Sequence, residues 1–186
     1  DCSGYKTGCG DCPDLNAVPS ISRDSTKYNL RRKKNILKSS EIYLATPCYW
    51  LKKQFEASTV GIFFKEIRVI PNGVEIDIFK PLKDKLSIRK KYDLNSSDLV
   101  FTFIAHGVIN NPWKKYSFML ETLKYLSKFF PSRKVVFICV GEEHVTFHNK
   151  NFENRFIKHI NDNKLLNEIY NCSDFYFHLS KADTFP

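Results

Sequence analysis

Six consecutive apolar residues, Val135 to Val140, limit most tightly what this chain can fold into. The run is too short for an ordinary helix, is rich in β-branched residues and is closed by Gly141, so it reads as a strand. A strand without a polar position has no face to turn to water. Such strands belong to parallel sheets covered on both sides. Residues 99–105 are a second clean strand, ending at His106-Gly107. Between the two, Met119, Leu123, Leu126 and Phe130 recur at helical spacing over residues 116–130, and Pro131 stops the helix. Strand, helix and strand in this order make a βαβ unit.

The same alternation continues on both sides. Downstream, residues 142–153 are polar and read as a loop, 155–160 as a strand, 164–171 as a helix and 174–179 as a last strand. Residues 85–92 form a short basic helix ahead of the first of these strands. Upstream, 27–38 and 49–58 read as helices and 41–45 and 67–70 as strands, after a loop over 1–22 rich in Gly, Pro, Asp and Ser. The two halves are joined by Ile70-Pro71-Asn72-Gly73-Val74, which leads to Phe79 and Pro81. Proline withholds a ladder donor and Asn-Gly tolerates a tight turn, so the first strand set stops there.

The 186 residues are 42% apolar and 26% charged, a globular composition, and no run of 18 apolar residues occurs. A net charge of +9 suits an anionic partner. Helix 27–38 carries much of it, with Lys27, Arg31, Arg32, Lys33, Lys34 and Lys38, and offers either a solvated face or a contact with anionic lipid head groups. Cys139 and Cys172 sit in or beside apolar strands and read as buried small hydrophobes. Cys2, Cys9 and Cys12 cluster in a Gly-rich loop, where they are either free thiols or part of a structural metal or redox site. A tetrahedral zinc needs a fourth ligand, which would lie upstream of Asp1. The chain opens in mid-motif and ends at Pro186 straight after a strand, and both ends are expected to be cut from a longer protein.

In parallel sheets, ligands bind beyond the carboxyl ends of the strands, here residues 106–115, 141–148 and 180–186. In the first loop Gly107 lets backbone approach a ligand, and Lys114 and Lys115 precede a helix N-terminus, a combination suited to phosphate. In the last, Asp183 is placed to accept hydrogen bonds from ligand hydroxyls. There is no Walker loop, no G-x-G-x-x-G, no H-E-x-x-H and no G-x-S-x-G, so those nucleotide, zinc-protease and hydrolase signatures are absent.

Taken in order, these pieces resemble the retaining glycosyltransferases of family 4. Cys9-Gly10-Asp11-Cys12-Pro13 is similar to a cysteine-rich loop of members that build bacterial surface polysaccharides. Thr46-Pro47-Cys48-Tyr49-Trp50-Leu51 resembles a "PSxWL" segment. Ile70-Pro71-Asn72-Gly73-Val74 with Phe79 and Pro81 resembles the interdomain motif, with Glu75 for Asp. Pro112-Trp113-Lys114-Lys115 stands where the family has "RKG", Ile169 to Asp174 resembles "lYs.aD", and Asp183-Thr184-Phe185-Pro186 resembles the start of its two-acid motif. The resemblance implies an α/β GT-B-like fold of two Rossmann-like parallel-sheet domains facing a cleft, both incomplete. Residues 1–72 would close the acceptor-side domain, 73–82 link the domains with Gly73 as hinge, and 83–186 form most of the donor domain.

It also implies a hexose transfer from a nucleotide-diphosphate sugar to a glycan or lipid-linked acceptor in cell-envelope polysaccharide synthesis. Lys114 would neutralise the diphosphate, with Gly107 and Lys115 beside it. Asp183 would be catalytic, at the first acidic position near the transferred sugar, the backbone at Thr184 and Phe185 would face sugar or phosphate, and Lys158, His159 and Ile160 would border the base. No metal or other cofactor and no nucleic acid is implied. The enzyme would be cytoplasmic, peripheral to the membrane through residues 27–38, and this segment alone inactive. Two departures stand out: Val108 and Trp113 occupy positions where the family commonly has Arg. They leave open a non-catalytic relative that binds nucleotide or glycan. A basic nucleic-acid-binding protein with a metal knuckle at Cys2, Cys9 and Cys12 is the reading from another class.

Overall fold

A computed structural model describes residues 2–17, 20–181 and 183–184. The chain divides into two compact units, Asp1–Gly73 with Thr184–Pro186, and Val74–Asp183.

In the first unit a helical turn, α1 (Gly4–Thr7), precedes the basic helix α2 (Thr26–Lys38). Strand β1 (Tyr43–Thr46), helix α3 (Tyr49–Glu56) and strand β2 (Glu66–Val69) follow. β1 and β2 pair in parallel from Tyr43 with Glu66 to Thr46 with Val69. Pro47 ends β1 because a proline cannot donate to the ladder, and extended Cys48 caps the helix that starts at the next residue.

The second unit contains α4 (Lys85–Lys91), β3 (Leu99–Ile104), α5 (Tyr116–Leu126), β4 (Val135–Val140), β5 (Phe147–His148), β6 (Phe152–Ile157), α6 (Asn163–Cys172) and β7 (Phe175–Tyr176). Its sheet runs β5-β6-β4-β3-β7, parallel except for β5 against β6. β4 is buried along its whole length. Val135, Phe137 and Cys139 pack with Met119 and Leu123 of α5, while Val136, Ile138 and Val140 pack with Ile169 and Cys172 of α6. Alternate side chains point to opposite faces of a strand, so an all-apolar strand needs a helix layer on each side. It has both.

α4 and α6 start where Asp84 and Asp162 accept the backbone N–H groups of Ser87 and Lys164, satisfying donors that the first turn leaves orphaned. Arg89, buried within this layer, donates to the carbonyls of Cys172, Ser96, Asn95 and Asp98 and to Asp174 Oδ2 at 2.7 Å. Residues 74–82 are held on α6: Phe79 meets Tyr170 edge-on, and the carbonyl of Lys80 accepts from Asn167 and Asn171.

The helical turn α1 lies in the expected loop over 1–22, the helix expected over 116–130 ends at Leu126, and two further segments differ from the sequence reading. Residues 142–153 are not loop throughout. Asn149 Oδ1 accepts the N–H groups of Asn151 and Phe152, closing a tight turn that folds β5 back along β6. β6 accordingly starts at Phe152 rather than at 155. The last strand is shorter than 174–179. After Phe177, whose N–H reaches Thr102 O, the chain leaves β3 and pairs with the Lys114 segment.

Candidate functional site

The carboxyl ends of β3, β4 and β7 carry three loops whose backbone is joined by specific contacts. Gly107 has φ +65°, a left-handed conformation in which an L side chain is strained. Its turn presents the N–H groups of Val108 and Ile109 to Glu142 Oε2 at 2.6 and 2.8 Å. Glu142 stands next to Gly141, where a Cβ would fall 1.9 Å from the carbonyl oxygen of Ala105. The two loops therefore approach each other closely because one residue has no side chain.

The third loop brings the chemistry together. The N–H of Lys115 donates to Leu179 O and that of Lys181 to Trp113 O, so the stretch after β7 runs antiparallel to residues 113–115, with a bridge between Lys114 and Ser180. This pairing places Lys114 Nζ 2.9 Å from Asp183 Oδ2 and 2.8 Å from Ser180 Oγ. His178 Nε2 lies 2.8 Å from Ser180 Oγ, 3.2 Å from Asp183 Oδ2 and 3.4 Å from Lys114 Nζ. Its ring stacks on Tyr176, whose phenol stands 3.4 Å from Nδ1. Burial, reinforced by Tyr170 and by the Asp183 carboxylate and opposed by a backbone bond at Ile104, pushes the Tyr176 phenol up to about 12. Tyr176 thus stays neutral at physiological pH. Lys114 and Asp183 are both mostly shielded from solvent, at 18% and 26% side-chain exposure, which strengthens their attraction over that of a surface pair.

The other expected residues are more dispersed. Lys115 is exposed and caps α5. Lys158 and His159 follow β6 at the same end of the sheet. Lys158 is exposed and pairs with Glu143 at 3.3 Å, and the His159 ring lies edge-on to that of His106 with centroids 6.4 Å apart. Ile160 packs against the α6-side core. Thr184 is exposed, and Phe185 lies outside the described residues. Val108 is fully buried in the core on the α5 side, whereas Trp113 is half-exposed. Sequence reasoning missed Glu142, Ser180 and His178 as members of this site. The position of Glu142 beside Gly141 in a strand-end loop was the only signal for it, and the other two needed the pairing of residues 113–115 with 179–181.

In the first unit Cys2, Cys9 and Cys12 line a cavity of about 540 Å³ with Lys27, as free thiols. Among the described residues no group of three or more His, Cys, Asp or Glu side chains is placed to hold a metal ion. No described helix is long and apolar enough to cross a membrane.

No family model and no curated protein sequence matches the chain. Solved structures do. Anabaena HepE in complex with UDP and glucose superimposes with a TM-score of 0.59 at 18% identity, over 84% of this chain and 43% of that one. Anabaena HepE in complex with UDP-glucose gives 0.57 at 16% identity over the same shares. The chain therefore spans less than half the length of these structures. At such identity the likeness is one of fold, and the α/β fold with parallel sheets is GT-B-like.

Proposed function

We propose that this chain is a segment of a family 4 retaining glycosyltransferase that takes a nucleotide-diphosphate sugar at the carboxyl end of the second unit's sheet. The observation that carries the reading is the Lys114–Asp183 pair, a shielded cation and carboxylate 2.9 Å apart, on a fold shared with a protein solved with UDP-glucose. In this reading Lys114 meets the diphosphate as negative charge develops on the leaving group, which is electrostatic stabilisation where the bond breaks. Asp183 stands beside the transferred hexose. Gly107 lets backbone approach the phosphates, Lys115 adds positive potential, and the backbone at Lys158, His159 and Ile160 borders the base. Thr184 and Phe185 would face sugar or phosphate, and residues 73–82 would link the acceptor-side and donor domains.

The acceptor is a glycan or lipid-linked glycan of the cell envelope, with residues 27–38 of helix α2 against an anionic membrane on its cytoplasmic face. Calorimetric titration of the chain with UDP-sugars tests the reading. Binding weakened about ten- to a hundredfold in Lys114→Ala supports it, and equal binding by both proteins would overturn the role of Lys114.

One observation favours a second reading. The position where the family commonly carries Arg is Val108, buried in the core, which supplies no cation to a ligand. A non-catalytic relative would bind donor without releasing nucleoside diphosphate in a clone extended at both ends.

A further inference from the structure

The outward face of α5 is aromatic. Met119 and Leu123 point into the core, while Phe118, Tyr125 and, in the turn that follows the helix, Phe129 are 58%, 61% and 63% exposed. Residues seven and eleven positions apart share one face of a helix, so the three rings form a stripe. Tyr125 and Phe129 meet edge-on at 5.1 Å. Beside the helix, a groove of about 600 Å³ is lined by half-exposed Phe147 of β5 and by Lys124, Lys128 and Lys150. Among the described residues none of these lysines enters an ion pair. The nearby Glu153 is occupied by Lys134 and Arg155, which leaves exposed Glu121 as the acid of this face.

α5 begins beside Lys114 and runs away from it for 11 residues, about 16 Å at 1.5 Å per residue. The groove consequently lies near the amino ends of β4 and β6, where Asn151 bonds to Pro131 and Val135. It is remote from the Lys114–Asp183 site.

We propose that this face of the second unit docks on an acidic phospholipid surface. The aromatic rings seat at head-group depth and Lys124, Lys128 and Lys150 meet lipid phosphates. Contiguous exposed apolar patches mark interaction surfaces, and the charge around this one selects an anionic partner. Ring geometry favours a lipid interface over a glycan. Sugar stacking needs open ring faces, but Lys124 Nζ stands 4.9 Å above Phe147 and Lys128 Nζ 5.8 Å above Tyr125. Ammonium groups lying along rings can instead reach up to phosphates while the rings stay below.

The test is co-sedimentation of the 186-residue chain with vesicles of phosphatidylcholine alone or with added phosphatidylglycerol. Binding is expected only with phosphatidylglycerol and should weaken with salt. Each lysine contributes about fivefold to partitioning, so Lys124→Gln/Lys128→Gln/Lys150→Gln should lose about a hundredfold. Phe118→Ser/Tyr125→Ser/Phe129→Ser should also release the protein, with Phe129→Ser alone as the milder variant if the triple melts early. Wild-type binding by both triples would overturn the proposal, as would loss confined to an Arg31→Gln/Arg32→Gln/Lys33→Gln variant of α2. Self-association that the aromatic variant abolishes, without vesicle binding by the wild type, would assign the face to a second copy and also overturn it.

Discussion

Lys114 Nζ lies 2.9 Å from Asp183 Oδ2, although 69 residues separate them. The cation that would meet a diphosphate is therefore already held by a carboxylate, with Ser180 Oγ and His178 Nε2 around it. Anything anionic entering the site competes with Asp183 for the same ammonium. Each partner consequently has an opposite effect on affinity, which makes the proposed roles separable.

Lys114→Ala should weaken binding of a nucleotide-diphosphate sugar by about ten- to a hundredfold, the range expected for a hydrogen bond to a charged group. Calorimetric titration of the chain reads this directly.

Asp183→Asn should act the other way on affinity. With its carboxylate competitor removed, Lys114 is free for phosphate, and UDP-sugar binding should tighten severalfold. Turnover should fall about a hundredfold or more, as when a positioned electrostatic group is lost. The measurement is nucleoside diphosphate release by a clone extended at both ends, and tighter binding with undiminished turnover would contradict the assignment.

Gly141→Ala should be among the most damaging single changes. Its Cβ would overlap the Ala105 carbonyl, and φ of +119° is a conformation that L side chains rarely adopt. Backbone strain of this kind costs about 1–3 kcal/mol before the overlap is counted. Thermal melting should show a large loss, or no folded protein.

Acid stability should report on Asp174. Burial would raise its pKa, but bonds from the Lys85 ammonium, the Val100 N–H and the Arg89 guanidinium outweigh it and hold the carboxyl below the usual Asp range. A depressed folded value means that its stabilisation is present above the ordinary Asp value near 3.9 and is lost as pH falls through the lower folded value. Asp174→Asn should flatten the decline in melting temperature below about pH 4. Arg89→Met, which removes the donor to four carbonyls and leaves Asp174 with only Lys85 and the Val100 N–H, should cost about 1–3 kcal/mol at neutral pH.

The second unit was legible where side-chain period alone decides. Val135 to Val140 has one solution, a strand with helices on both faces, and the structure shows it with those bounds. The β5–β6 hairpin was not, because its signal is the single Asx turn at Asn149 amid polar residues. Lys114 and Asp183 were each legible as strand-end residues. Their partnership was not.

What the sequence determined by itself is therefore local: periods, stops and caps, which depend on neighbours within a few residues. What only the tertiary structure decided is the site. Ser180 and His178 join Lys114 because residues 179–181 leave β3 and pair with 113–115, and Glu142 reaches Val108 and Ile109 because Gly141 allows the loops to touch. With the Lys114–Asp183 pair, those contacts span from 33 to 69 residues. The physics that selects them is close packing across the sheet end, which no local pattern encodes.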